Sequence, residues 1–501
     1  MRCLYTVEQI RSGEAAAMAE LPEGALMARA AAGLARRCAS LLGRVYGAQV
    51  VLLVGSGNNG GDALYAGALL ARRGAAVTAV VAGSSPHSGG VAAFRAAGGT
   101  VRPSAEIAWQ STDLVVDGLV GIGGKGALRE PYAALARGLR EVGATVVAVD
   151  VPSGVDAGSG EVAGDAVRAD VTVTFGGLKA GLLVSPGAEF AGLVELVDID
   201  LPLAASPLTA LDASDVAAML PVPSGEASKY TRGVVGVVTG SRQYTGAAVL
   251  STGGALRAGA GMVRFAGAHH AAERVRARWP EVVVTDIGTD DDGSIADAAG
   301  VLAVGRVQAW VIGSGLGTGA GPASVLAGVL GTELPVLVDA DAITIVADHH
   351  EWLSRRGGTL VTPHTGEFAK LMAADRADVE AHRLSWARKA ADQLGVTVLL
   401  KGSTTVVADP DGRTAVNTTA TAWLGTAGSG DVLSGVCGSL MAQGLSPFDA
   451  GRVGAFLHGM AGRFASEGTD VDDPRRGAPV GAGDLLEVWA DVERAVRAVP
   501  A

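Results

Sequence analysis

Short runs of β-branched and aliphatic residues recur along the chain, each closed by glycine or aspartate and each followed by a helix-length segment. QVVLLV at 49–54, AAVTAVVA at 75–82, DLVVD at 113–117, TVVAVD at 145–150 and VTVTF at 171–175 form the first series, after an alanine-rich helical opening over Val7 to Leu42. A strand that is apolar at every position must be covered on both faces, and helical crossovers between such strands make them parallel. The pattern predicts an α/β fold. Open parallel sheets bind ligands beyond the carboxyl ends of their strands, so the residues at those ends are the ones to inspect.

At 501 residues the chain exceeds the size at which one core keeps growing, and two domains are expected. The segment LPLAASPLTALDASDVAAMLPVPSGEAS, beginning at Leu201, mixes prolines with small residues and reads as the connection, with the boundary placed between residues 205 and 206. A second series then opens: VVGVVTGS at 234–241, AWVIGSGLGTG at 309–319, PVLVDADA at 335–342, TLVTPHTGE at 359–367 and VTVLLKGS at 396–403. TTVVADPDGRTAV at 404–416 reads as a hairpin, because DPDG supplies turn chemistry. A helix is expected after GTAGSGD, with Val432, Leu433, Val436 and Leu440 at helical spacing.

Composition excludes several classes of function. The net charge is −11 without a long basic run, and aromatics make up 4%, so neither a nucleic-acid surface nor a base-stacking platform is supplied. Cys3, Cys38 and Cys437 are odd in number and lack metal-ligand spacing, as expected of a reducing compartment. The N-terminus lacks a signal-peptide core and no apolar stretch reaches membrane-spanning length, so a cytoplasmic protein is expected.

Three oxygen-bearing groups fall at strand ends in the first series. Asn58, Asn59 and Asp62 follow the strand at 49–54, Asp117 ends the strand at 113–117, and Asp150 opens DVPSGVD with Ser153 three residues on. Singly, each strand-end aspartate reads more readily as a turn former or helix cap, and the glycine loop equally well as a tight turn. Together they converge on one crevice. The glycines of VGSGNNGGD let backbone N–H groups approach an anion at a helix N-terminus, while amide, carboxylate and hydroxyl oxygens can ring a hard cation.

GSGNNGGD, DGLVGIGGKGALREP and VDVPSGVD resemble, in order, three motifs of the NAD(P)H-hydrate epimerase family. The resemblance implies a Rossmann-like three-layer domain over residues 1–205. It implies substrate contacts from Asn58, Asn59, Gly60, Gly61, Asp62, Gly121, Ile122, Gly123, Gly124, Lys125, Gly126, Ala127 and Asp150. It also implies a potassium ion held by Asn59, Asp117 and Ser153, with Asp150 as the acid–base group at C6 of the damaged nicotinamide ring.

GTAGSGD at 425–431 is the sharper signal. Small residues let consecutive N–H groups at a helix start point at one anion, and an aspartate directly behind them can take the proton of a hydroxyl attacking a phosphoryl group. A capped helix start is the plainer alternative. With YTGAA, GSGLGTG, DADA, TPHTGE and KGSTT, this motif resembles the ribokinase-like ADP-dependent NAD(P)H-hydrate dehydratases over roughly Gly233 to Gly435. The resemblance implies a ribokinase-like three-layer α/β domain over 206–501, with Asp431 as base and Ala247, Gly317, His364 and Asp431 at the hydrate. Lys401, Gly402, Ser403, Thr404, Thr405 and Gly430 would contact the adenine nucleotide.

Taken together, the two resemblances imply epimerisation of R- and S-NAD(P)HX at C6, then ADP-dependent dehydration of the S form to NAD(P)H, AMP and phosphate. Potassium, magnesium and ADP are the implied cofactors and co-substrate. NADHX, NADPHX and ADP are the expected partners, with no nucleic acid and no membrane, and a homo-oligomer is expected. Two alternatives remain at this point: a ribokinase-type small-molecule kinase, and a dehydratase whose N-terminal domain only binds.

Overall fold

The continuous apolar runs become strands buried on both faces. The computed structural model describes residues 1–290, 293–468 and 477–499. The chain divides into two compact units, Cys3–Leu208 and Thr209–Ala501, the second also taking in Met1–Arg2. Among the described residues no helix is long and apolar enough to cross a membrane.

The first unit contains β1 (Gln49–Val54), β2 (Ala76–Val81), β3 (Thr100–Val101), β4 (Leu114–Gly118), β5 (Thr145–Val149), β6 (Val171–Phe175) and β7 (Leu193–Val197). They form one sheet in the order β3-β2-β1-β4-β5-β6-β7, parallel throughout. Val50, Leu52 and Val54 of β1 face a core shared with helix Ala25–Leu42 and helix α1 (Asn58–Arg72), while Val51 and Leu53 face the opposite core with Ala136 and Leu139. The strand order reverses between β1 and β4. A crevice opens at such a reversal, beyond the strand ends, and the sequence places Asn58 and Asp117 there. Gly55 makes the close approach possible, since a Cβ on it would lie 1.8 Å from the Leu119 carbonyl oxygen.

The second unit contains β8 (Val234–Val238), β9 (Met262–Gly267), β10 (Val283–Asp286), β11 (Ala309–Ile312), β12 (Val336–Val338), β13 (Thr359–Val361), β14 (Thr397–Leu400), β15 (Thr405–Ala408) and β16 (Thr414–Asn417). Its sheet runs β10-β9-β8-β11-β12-β13-β14-β15-β16. Pairing is parallel as far as β14 and antiparallel through the β15–β16 hairpin, whose turn closes with Asp409 and Arg413. Helix α2 (Thr245–Arg257) follows β8, and helices α3 (Ser429–Ala442) and α4 (Pro447–Glu467) follow the hairpin. Every residue of α3 from Val432 to Ala442 is buried. Small residues permit this: a Cβ on Gly438 would lie 1.9 Å from Val311 of β11. This packs the body of α3 against β11 in the middle of the sheet.

The expected elements form close to their expected bounds, with the helical opening split at Leu21–Gly24 into Val7–Glu20 and Ala25–Leu42. Strands β3, β7, β9 and β10 were not anticipated. Each is very short or carries partly exposed or charged positions, as in LVELV and MVRFAG, so none presents a continuous apolar run.

Candidate functional sites

In the first unit, α1 begins at Asn58 with Gly57 as its cap and no side chain bonded to the first turn. The first N–H groups of a helix lack intrahelical partners, so this start offers donors to a ligand. Asn58, Asn59 and Asp62, Gly121 to Gly124, and Asp150 line one cleft of about 1720 Å³, together with Arg11 and Glu14. Lys125, Gly126 and Ala127 line a separate hollow of about 270 Å³ that shares Val120, Gly124 and Tyr132 with the cleft. Gly60 and Gly61 are buried against Gly55 and His87 and are not among the residues that line the cleft.

Beneath the cleft floor lie Asp117 and Ser153, both fully buried. Asp117 accepts from Ser153 Oγ at 2.7 Å, Ser153 N at 2.8 Å and Leu119 N at 3.2 Å. Burial pushes its carboxyl up to about 6 in spite of these bonds. Asn59 Nδ2 is buried and meets no acceptor among the described residues. The side-chain oxygens of Asn59, Asp117 and Ser153 are of the kind that ligate a hard cation, whereas the orphaned Asn59 Nδ2 carries N–H groups that call for an acceptor such as a ligand oxygen. Among the described residues no group of three or more His, Cys, Asp or Glu side chains forms a metal cluster.

Asp150 closes β5 in the left-handed region, at φ 66°. Its Oδ1 accepts from Lys179 Nζ at 2.5 Å, the Thr174 hydroxyl at 3.0 Å and Phe175 N at 3.1 Å. Lys179 was missed in the sequence, where a single lysine in TFGGLKAG carries no periodic signal. Burial pushes the Asp62 carboxyl well above the usual range, and the charges of Asp150 and Glu14 push it further. Glu14, on helix Val7–Glu20, was missed for the same reason.

In the second unit, Asp339 at the end of β12 is the hub. Its Oδ1 accepts from Thr362 Oγ1 at 2.8 Å and Lys401 Nζ at 2.9 Å, and its Oδ2 from Ser434 Oγ at 2.7 Å and Ser314 Oγ at 3.1 Å. These partners come from the ends of β11, β13 and β14 and from α3, which is why no local spacing revealed the hub, although DADA had been noted. Burial works to raise Asp339, but the Lys401 ammonium beside it holds the carboxyl below the usual range. Burial conversely works to lower Lys401, and the charges of Asp339 and Glu367 hold it above the ordinary lysine value.

Helix α3 starts at Ser429 behind Gly428, which sits at φ 87°, again with no side chain capping the first turn. Ser429 Oγ instead donates to the Leu424 and Thr426 carbonyls. The capped-start alternative is therefore not what the chain builds, and the Gly430 and Asp431 amides stay available for an anion. Asp431 lies directly behind them. Burial pushes its carboxyl up to about 6, helped by Asp339 and Asp341 and opposed by Ser314 and Lys401. A carboxylate poised there can take a hydroxyl proton near neutral pH. A Cβ on Gly430 would lie 3.3 Å from Lys401 Nζ, so Lys401 faces the start of α3.

The remaining expected residues fall around this centre. Ala247 is in the first turn of α2, close to the Gly315 backbone, and Gly317 N donates to Asp341 Oδ2 at 2.9 Å. His364 caps helix Thr365–Leu371: its Nδ1 accepts from Glu367 N at 3.1 Å, and Glu367 accepts in turn from His364 N. Its other face remains exposed. The Lys401–Thr405 turn is held from behind by Arg383, buried, whose Nη2 donates to the carbonyls of Lys401 at 2.7 Å, Leu400 at 3.2 Å and Thr404 at 3.5 Å. His458 of α4 donates from Nε2 to the Ser429 carbonyl at 2.9 Å, and burial pulls its imidazole down to about 4. Arg383 and His458 were both missed, since each acts from a helix distant in sequence from the motif it supports.

A family model described as YjeF-related protein N-terminus matches residues 23–181, and one described as NAD(P)H-hydrate dehydratase matches residues 235–475. The bifunctional NAD(P)H-hydrate repair enzyme Nnr of Mycobacterium tuberculosis is 47% identical over 456 residues, covering 90% of this chain and 91% of that protein. The enzyme of the same name from Mycobacterium leprae is 46% identical over 472 residues, covering 93% and 94%. Among solved structures, the ADP/ATP-dependent NAD(P)H-hydrate dehydratase of Bacillus subtilis, co-crystallised with ATP and Mg2+, aligns with 57% of this chain and 98% of its own at 25% identity and a TM-score of 0.48. The chain belongs to the family of bifunctional NAD(P)H-hydrate repair enzymes.

Proposed function

We propose that the chain restores hydrated nicotinamide cofactors in two steps, epimerisation in the first unit and nucleotide-driven dehydration in the second. The observation that carries it is that each unit joins an uncapped helix start to a strand-end carboxylate, with a burial-raised carboxyl at both sites: Asp62 beside Asp150, and Asp431 itself.

Inversion at C6 breaks the C–O bond as the ring nitrogen lone pair forms C=N. The hydroxyl takes up a proton and leaves as water, and a water then adds to the opposite face and gives a proton back. Asp150 is the group that exchanges the proton, and Asn58, Asn59, Asp62 and the Gly121–Ala127 segment bind the dinucleotide. Asn59, Asp117 and Ser153 would hold potassium, which supplies fixed positive charge under the cleft.

In the second unit, hydroxide is a poor leaving group and phosphate a good one. Asp431 takes the proton of the C6 hydroxyl as its oxygen attacks the terminal phosphorus of ADP, and AMP departs. The ring nitrogen lone pair then expels phosphate to give an iminium at C6, and loss of a proton from the neighbouring C5 restores the ring double bond. The amides at the start of α3 stabilise charge on the moving phosphoryl group, and Lys401 stands beside them. Lys401 to Thr405 and Gly430 would meet the nucleotide; Ala247, Gly317 and His364 the hydrate. Magnesium would supply charge neutralisation on the phosphates.

The test is a mixture of both NADH-hydrate epimers with magnesium, potassium and either ADP or ATP, followed by the return of dihydronicotinamide absorbance. Complete rapid recovery is expected. Recovery that stalls after one epimer refutes epimerisation, and none with either nucleotide refutes the repair function.

A further inference from the structure

A lysine is costly to bury unless its ammonium is paired and its donors are used. Lys179 has no exposed surface. Its three N–H donors reach Asp150 Oδ1 at 2.5 Å, the Phe175 carbonyl at 2.7 Å and Thr174 Oγ1 at 3.0 Å. Its backbone is fixed too, because Tyr5 pairs with Lys179 in a short parallel bridge between Arg2–Tyr5 and Leu178–Lys179.

The other half of the pair is one-sided. The Lys179 ammonium, the Thr174 hydroxyl and the Phe175 amide all donate to Oδ1 of Asp150. Among the described residues none donates to Oδ2, and Asp150 lines the cleft. The left-handed backbone at Asp150, φ 66°, is strained for a non-glycine residue, and such strain persists where the surroundings over-determine it.

We infer that Lys179 is a positioning residue for the epimerisation: by saturating Oδ1 it leaves Oδ2 of Asp150 as the oxygen that exchanges a proton with the substrate. This rests on the epimerase function proposed for the first unit. The charged groups facing the pair are Glu14 and Arg11 from helix Val7–Glu20 and Asp62 from α1. Burial and the Asp150 charge raise both Glu14 and Asp62, and Lys179 opposes that rise in each. Without the ammonium, three carboxylates share one pocket with their buried counter-ion gone, so the acidic limb of the epimerase pH profile moves to higher pH.

The experiment follows interconversion of the separated hydrate epimers by the full chain without nucleotide, so that the second unit is silent. Lys179→Met is expected to lower kcat by about 100-fold, within the range for a disabled acid–base group, with KM changed far less. Its acidic limb should rise by about one pH unit or more, and Lys179→Arg should regain part of the rate. In the Asp150→Asn background Lys179→Met should cost nothing further. A parent-like limb and rate, or an undiminished further loss in that background, overturns the inference. Should Lys179→Met fail to fold, Thr174→Val keeps the charge and removes one Oδ1 donor; an unchanged kcat there overturns the inference equally. A parent chain without epimerase activity refutes the epimerase function itself, whereas an active parent with unaffected variants refutes only the role of Lys179.

Discussion

Replacing Asp431 by asparagine should abolish dehydration and, at alkaline pH, make the second unit more stable. The carboxyl is raised from 3.8 to about 6, chiefly by burial. A displacement of about two pH units corresponds to about 3 kcal/mol at roughly 1.36 kcal/mol per unit. The sign follows from linkage: the folded state holds this proton more tightly than the unfolded state, so stability falls as pH rises from about 4 and is fully lost above about 6. An asparagine carries no charge to desolvate. At pH 8 the variant therefore gains at most about 3 kcal/mol, a figure already net of the Lys401 attraction, whereas near pH 4 it gains nothing. For a unit of this size that is a rise of up to about 6–12 °C in Tm, at roughly 2–4 °C per kcal/mol. The assay is the thermal transition of the second unit in parent and variant at pH 4.5 and pH 8, beside dehydration of the S epimer with ADP. Equal Tm at pH 8, or equal stabilisation at both pH values, refutes the account of Asp431 as a buried, destabilising base. Dehydration retained within about tenfold refutes its role, since removing a general base should cost about 10²–10⁴.

Other outcomes are open to direct measurement. Asp150→Asn should reverse the pattern, losing epimerisation while dehydration of pure S epimer continues at the parent rate. The kcat/KM for dehydration should rise through an acidic limb near pH 6 as Asp431 ionises, and a limb near 4 would contradict the burial of that carboxyl. Exchanging potassium for lithium should slow epimerisation and leave dehydration unaffected. Gly121→Ala would bring a Cβ to 2.8 Å from Asn59 Oδ1, and should weaken the potassium response more than hydrate binding. In the native chain Cys38 and Cys437, both fully buried with thiols pushed up by burial, should resist alkylation while Cys3 reacts.

The sequence by itself determined the parallel strands and both glycine-rich loops that open a helix. Runs such as QVVLLV admit only a doubly covered strand, and a glycine loop after a strand opens a helix N-terminus wherever the fold occurs. Asp117, Asp150 and Asp431 were legible because each stands at the end of a strand or the start of a helix, where local pattern and site coincide. Tertiary structure alone decided which groups surround them. Asp339 gathers Ser314, Thr362, Lys401 and Ser434 from four separate segments, and Lys179 meets Asp150 from beyond the next strand. Arg383 and His458 hold their loops through backbone carbonyls, contacts that leave no side-chain signature in the loop they serve. Periodicity reports which face of an element is buried. It does not report which charge is buried against which, and in a desolvated site that pairing sets the protonation state of each carboxyl.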